Sequence, residues 1–179
     1  MLIFHKEVSL AEGFLVLSKG KEDRLVGGKR VSGCSGWGLF KILAPGPIQC
    51  WNCGCAADRW IADKGQNDKI GVPVLNLYGT RSDGQLVLMN RDHIIPKSLG
   101  GIDNIANLRP ACEICNGQRG NLITPAELDF KTANPHLFSA VRFEMGKKRA
   151  IKHAARHNVD VDEEQYQTIN ATIIRRDAD

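Results

Sequence analysis

Two C-x-x-C pairs, Cys50 with Cys53 and Cys112 with Cys115, constrain this chain more than any other feature of its sequence. Four thiolates at the corners of a tetrahedron make a structural zinc site, and each C-x-x-C supplies two of them from one curl of chain. The 58 residues between Cys53 and Cys112 exceed an ordinary zinc-ribbon gap. The pairs would therefore clasp the base of a sizeable insertion and tie distant segments together. The run "CWNCGC" also offers Cys55; the two-residue gap favours Cys50 with Cys53, and Cys55 in place of either stays open. Cys34 and Cys55 read as buried small residues.

Cysteines in this pattern suit a reducing compartment better than a disulfide framework does. The opening "MLIFHKEVSLAEGFLVL" carries His, Lys and two Glu among its apolar residues, so it lacks a signal-peptide core. No apolar run reaches the length of about 18 residues that a membrane span requires. The expectation is a cytoplasmic protein with no membrane partner.

Residues 1–48 read as short strands and turns, with "LIF", "GFLVLSKG" and "RLVGGKRVSG" alternating apolar patches with Gly, Ser and Lys. "LAPGPIQC" punctuates the chain and places a boundary near 44–49. "VPVLNLY" (72–78) and "QLVLMNR" (85–91) predict a hairpin across an Asp-Gly turn, the second strand delivering Asp92 and His93 at its end. "NLRPAC" predicts a short return strand and "EICNGQR" a short helix ended by Gly120. Thr124, Pro125 and Glu127 form a helix start. "HLFSAVRFEMGKKRAIKHAARHN" has helical character with an interruption expected at Gly146, and "DVDEEQYQTINATIIRRD" ends the chain as a further helix. The α+β chain thus divides into a β-rich extension (1–48), a core (49–123) and a helical appendage (124–179).

One segment, "RDHIIPKSLGGIDNIANLRPACEICNGQRGN" (91–121), concentrates residues that no packed core demands. Its order of Asp-His, Gly-Gly, Asn-Leu and C-x-x-CN-x-x-RG resembles the zinc-bound form of the HNH endonuclease motif, over about residues 50–121. The resemblance implies a ββα-metal fold, two strands and a helix around one catalytic divalent ion, stapled here by the four-cysteine zinc site.

Residue chemistry supports that activity independently. Phosphodiester hydrolysis needs a water deprotonated in place and a cation facing the phosphate oxygens. His93 suits the general base because imidazole titrates near neutrality. Asp92, its neighbour in a strand, points to the opposite face and offers a hard carboxylate to Mg²⁺ or Mn²⁺. The resemblance implies that Asn107 orients the His93 imidazole through its side-chain amide. It also puts Asn116 where the family name would place a final His, making an "HNN" variant whose amide oxygen is a metal ligand. Arg119, one helical turn after Asn116, is a candidate phosphate clamp. Gly100 and Gly101 are expected to take the positive φ that returns the loop to His93.

The net charge of +4 permits an acidic partner without demanding one, but its distribution says more. Arg142, Lys147, Lys148, Arg149, Lys152 and Arg156 face Glu144 alone between 141 and 157, while the tail at 158–179 has six acids against Arg175 and Arg176. Lys147, Lys148, Arg149, Lys152 and Arg156 are the candidate DNA contacts, double-stranded DNA being the expected partner. RNA stays open as a substrate, as does a homodimer or protein partner. A zinc-stabilised nucleic-acid-binding module without catalysis is the second reading; it leaves Asp92, His93 and Asn116 unexplained. A zinc deaminase is excluded, because Ile95 stands where that chemistry needs Glu.

Overall fold

A computed structural model describes residues 2–33, 36–38, 46–65 and 71–156. Its elements in chain order are β1 (Leu2–Ser9), α1 (Leu10–Ser18), β2 (Leu25–Val26), β3 (Lys29–Arg30), β4 (Ser32–Gly33), β5 (Ala57–Gly65), β6 (Val74–Thr80), β7 (Leu86–His93), β8 (Leu108–Cys112), α2 (Glu113–Arg119), α3 (Pro125–Ala133) and α4 (Ala140–Arg156). Single 3₁₀ turns lie at Lys21–Asp23, Lys97–Leu99, Ile105–Asn107 and Pro135–Leu137. The expected terminal helix over 158–177 and Cys34 lie outside the described residues. Among those residues, no helix is long and apolar enough to cross a membrane.

The chain forms two compact units, residues 1–90 with 110–116 and residues 91–109 with 117–179. In the first, a sheet runs in the order β1-β5-β6-β7-β8, with β4 beside β6. β1–β5, β5–β6 and β6–β7 are antiparallel, and β4–β6 is parallel. Burial alternates along β6 and β7, placing Leu75, Leu77, Val87 and Met89 inside, as a one-sided sheet requires. The predicted hairpin is present: Tyr78 pairs with Leu88, and Gly84 in the connecting turn takes φ +81°.

Residues 13–18 of the segment "GFLVLSKG", read among the short strands, belong instead to α1. Ser9 caps it, its hydroxyl accepting from the Glu12 amide at 3.2 Å. Gly13 is the reason α1 packs flat on the sheet, since a Cβ there would stand 2.1 Å from the buried Trp60 ring. Phe14 meets the same indole edge to face, centroids 5.2 Å apart. Arg24 closes the helix, its guanidinium donating to the Leu17 and Lys19 carbonyls at 3.1 and 3.2 Å.

In the second unit, Ile95, Leu99, Ile123 and Leu137 make a small apolar core around the fully buried Asn107. α3 starts with the expected capping box: Glu127 N donates to Thr124 Oγ1 at 3.3 Å, and Thr124 N donates to Glu127 Oε2 at 2.8 Å. α4 is continuous through Gly146, where an interruption was expected. A Cβ at that position would lie 2.2 Å from the Ser98 carbonyl oxygen, so the glycine lets the helix cross the 97–99 turn closely. The helical region is stitched to the loop after His93: Ser139 N donates to Gly100 O at 2.8 Å and Ile102 N to Leu137 O at 3.2 Å.

Candidate active site and metal centre

The sulfur atoms of Cys50, Cys53, Cys112 and Cys115 lie within 4.8 Å of one another, with Cys53 and Cys112 3.8 Å apart. Zinc–sulfur bonds of about 2.3 Å in a tetrahedron require sulfurs about 3.8 Å apart. Cys55 is buried but stands outside this group. Around the sulfurs, Asn52 Nδ2 donates to Cys115 at 3.4 Å, Cys115 N to Cys112 at 3.5 Å, and Arg81 Nη1 to Cys112 at 3.9 Å. Burial and then the neighbouring thiols push Cys115 up to about 12, against the Asn52 amide. Burial also opposes ionisation of Cys50, but the backbone amides of Cys53, Cys112 and Asn52 outweigh it and bring the thiol to about 7. One ready thiolate crowded by reluctant ones is the electrostatics of a set that a dication completes. The donors and their spacing fit a bound metal ion.

Asp92 and His93 close β7 on opposite faces, as expected of strand neighbours. Asp92 is 4% exposed, and each of its oxygens accepts from a guanidinium: Oδ1 from Arg119 Nη1 at 2.8 Å, Oδ2 from Arg109 Nε at 3.0 Å. Arg109 Nη2 also donates to Glu127 Oε1, and Arg119 Nη2 lies 3.4 Å from that oxygen. Burial pushes the Glu127 carboxyl up, but the Thr124 amide, Arg119 and Arg109 together hold it below its ordinary value. Two carboxylates and two guanidiniums thus cancel inside the unit.

Arg119 differs from its expected role as a phosphate clamp. It is 7% exposed and turned inward, donating also to the Ile94 carbonyl at 2.8 Å. A guanidinium has five donors in a planar fork, and a buried carboxylate is the partner that satisfies it best. Asn116 stands half-buried on α2, one turn before Arg119.

Asn107 also differs from expectation. Its Oδ1 accepts from Ile95 N at 2.8 Å, while Nδ2 donates to Ile95 O and Ile102 O, both at 3.1 Å. The amide therefore clamps the backbone on both sides of the loop rather than touching the imidazole. Gly101 makes room for this, since a Cβ would meet the Ile95 carbonyl oxygen at 1.8 Å. Gly100 alone of the pair takes a positive φ, +93°.

The imidazole's partner is a residue the motif did not single out. Asp103 Oδ1 lies 2.9 Å from His93 Nε2 and 2.8 Å from Lys97 Nζ, and Asp103 Oδ2 lies 3.5 Å from Arg142 Nη1. The Lys97 hydrogen bond, more than any other group, brings the Asp103 carboxyl down to about 2. Burial lowers the His93 pKa and Lys97 adds to this, against Asp103. Both effects favour the neutral ring. Arg109 and Glu127 were also missed: Arg109 lacked any local signal, and Glu127 was legible only as a helix cap.

Along α4, Lys148, Arg149 and Lys152 are exposed and Lys147 is half-buried; the Arg156 side chain lies outside the described residues. Arg142, Arg149, Lys152 and Arg156 recur at seven, three and four residues, the spacing of one helix face. Val141 and Met145, 72% and 50% exposed, share that face.

Residues 81–122 match the family model described as HNH endonuclease, which bears out the resemblance over the segment where it was most specific. No curated protein and no solved structure matches the chain.

Proposed function

We propose that the HNH endonuclease domain at residues 81–122 makes this chain a metal-dependent DNA endonuclease, hydrolysing phosphodiester bonds with His93 as general base. The observation that carries the reading is His93 itself, held at the end of β7 by an ionised carboxylate with its neighbour Asp92 fixed on the opposite face. A ring so held can take a proton from water without first searching for its orientation.

The ββα-metal reading of β7, β8 and α2 comes with the family. In it Asp92 is the carboxylate ligand of a divalent ion, Mg²⁺ or Mn²⁺, and the sequence offers Asn116 as an amide-oxygen ligand. Hard oxygen donors suit those ions, and each Asp92 oxygen keeps a second lone pair beyond its arginine bond. Such an ion supplies positive charge to the phosphate oxygens and the departing oxygen. Arg109 and Arg119 hold the Asp92 carboxylate in a single orientation. Cys50, Cys53, Cys112 and Cys115 hold structural Zn²⁺. Lys147, Lys148, Arg149, Lys152 and Arg156 supply phosphate contacts, which position DNA without reading its sequence.

The test is supercoiled plasmid with Mg²⁺ or Mn²⁺, beside EDTA and His93→Ala. Metal-dependent nicking or linearisation that drops about 10²–10⁴-fold in the variant establishes the base. The engagement of both Asp92 oxygens by arginines favours a second reading, a zinc-stabilised nucleic-acid-binding module without catalysis. Wild-type protein that binds DNA and zinc but leaves every DNA form intact would decide for it.

A further inference from the structure

We infer that Asp103 is a positioning residue that holds His93 in its Nε2–H tautomer and so makes Nδ1 the atom that accepts the proton from water. The inference rests on the nuclease reading and adds to it a residue and an atom.

A neutral imidazole carries one N–H donor and one bare nitrogen, and the partner of one nitrogen dictates the state of the other. An ionised carboxylate only accepts. The 2.9 Å contact between His93 Nε2 and Asp103 Oδ1 therefore requires the proton to sit on Nε2. Among the described residues, no hydrogen bond reaches Nδ1. Lys97 Nζ at 2.8 Å favours the ionised form of Asp103, and Arg142 Nη1 stands 3.5 Å from its other oxygen.

Asp103 is about half exposed, yet its backbone is not that of a free surface residue. On one side Ile102 is pinned twice, its amide donating to Leu137 O at 3.2 Å and its carbonyl accepting from Asn107 Nδ2 at 3.1 Å. On the other, Asn104 N donates to Ile102 O at 2.9 Å, and the Asn104 side chain accepts from Ala106 N at 2.9 Å. The same Asn107 amide pins Ile95, two residues after His93, at both its N–H and its carbonyl. One buried side chain thus registers the strand end that bears the imidazole against the turn that bears the carboxylate. In this geometry the water proton moves to Nδ1 and the resulting hydroxide forms its bond to phosphorus. The bond to the leaving oxygen breaks, and that oxygen takes a proton from solvent. The imidazolium so formed keeps its Nε2–H on Asp103, whose charge stabilises it.

The test uses zinc-loaded, full-length protein as wild type, Asp103→Ala, Asp103→Asn, His93→Ala and the Asp103→Ala, His93→Ala double variant. Long-range proton–nitrogen NMR spectra assign the imidazole tautomers, His93 being the signal lost in His93→Ala. Single-turnover plasmid cleavage and DNA affinity are measured alongside. Wild type should show Nε2–H. Asp103→Ala should shift the ring toward the other tautomer and slow cleavage about 10–100-fold, the loss typical of outer partners of a working histidine. Its DNA affinity should hold or tighten, since a negative charge has gone. Asp103→Asn should recover part of the rate, because its carbonyl oxygen still accepts from Nε2–H. Asp103→Ala should add nothing to His93→Ala. An unchanged tautomer in Asp103→Ala overturns the inference, as does an equal further loss of rate in the His93→Ala background. Wild-type protein that is inert while the tautomer responds to Asp103→Ala would sink the nuclease reading and leave the His93–Asp103 pairing standing.

Discussion

Replacing Arg119 by Met separates two roles for this residue, an outward clamp on phosphate and an inward clasp on Asp92. The guanidinium donates to Asp92 Oδ1 and to Ile94 O, both at 2.8 Å, and stands 3.4 Å from Glu127 Oε1. The side chains of Arg119, Asp92 and Glu127 are 5%, 4% and 5% exposed, so solvent cannot take over those partners. Arg119→Met leaves two buried carboxylates against Arg109 alone and one carbonyl without a donor. Breaking a buried pair from one side costs about 3–5 kcal/mol, a large share of the roughly 5–15 kcal/mol that holds a domain together. At roughly 2–4 °C per kcal/mol for a chain of this size, Tm should fall by about 6–20 °C. Arg119→Lys keeps the charge but not the planar fork, and should fall in between. Thermal and urea unfolding of zinc-loaded protein measure this directly. A loss under about 1 kcal/mol, the range of exposed ion pairs, combined with lost cleavage, would refute the inward assignment and return Arg119 to the phosphate.

Asn107→Ala removes the partner of three backbone groups at once; at about 1–3 kcal/mol for each buried group left unmade, urea unfolding should show a loss of roughly 3 kcal/mol or more. Gly146→Ala should destabilise although Ala favours helix by about 1 kcal/mol, because the new Cβ would stand 2.2 Å from Ser98 O; a raised Tm would mean the crossing is looser than described. Metal analysis should find one tightly held zinc per chain, absent in Cys112→Ser, with chelation lowering Tm because structural zinc binding is folding energy. Replacing Lys148, Arg149 and Lys152 by Ala should flatten the dependence of log affinity on log salt by roughly 2–3, at about 0.9 for each phosphate no longer neutralised; an unchanged slope would take DNA off this face.

The parts of the fold that local chemistry dictates were readable in advance. Asp83 and Gly84 marked the β6–β7 turn, Gly120 the end of α2, and Thr124, Pro125 and Glu127 the start of α3. What misled was local chemistry overruled from a distance. "GFLVLSKG" has an apolar texture that suits a strand, yet Ser9 caps it as a helix and Gly13 fits that helix to Trp60. Gly146 looks like a break, but the Ser98 carbonyl beneath it needs a residue without a side chain. At the site, the identities of Asp92, His93, Asn107 and Arg119 were visible, while their partners were not. Asp103 follows an ordinary Gly-Gly turn and Arg109 sits in a short strand. Which carboxylate meets which cation depends on pairings 10 to 27 residues apart in the chain, for which no spacing rule exists.

The ionisable groups of the second unit sort by burial into two kinds of work. Asp92, Glu127, Arg109 and Arg119 are matched charge for charge. Paired with one another and mostly buried, they fix the geometry of the strand end, and the loss of any one registers as stability. Lys148, Arg149 and Lys152 are exposed and separated along a helix face. Charges of that kind contribute little to folding and much to a polyanion's approach. His93 belongs wholly to neither kind, being 17% exposed and tied to a carboxylate that is itself half in water. In the proposed role of base, the ring must be fixed on one nitrogen and open on the other. A partner half in solvent meets that demand, because it orders the ring without sealing it.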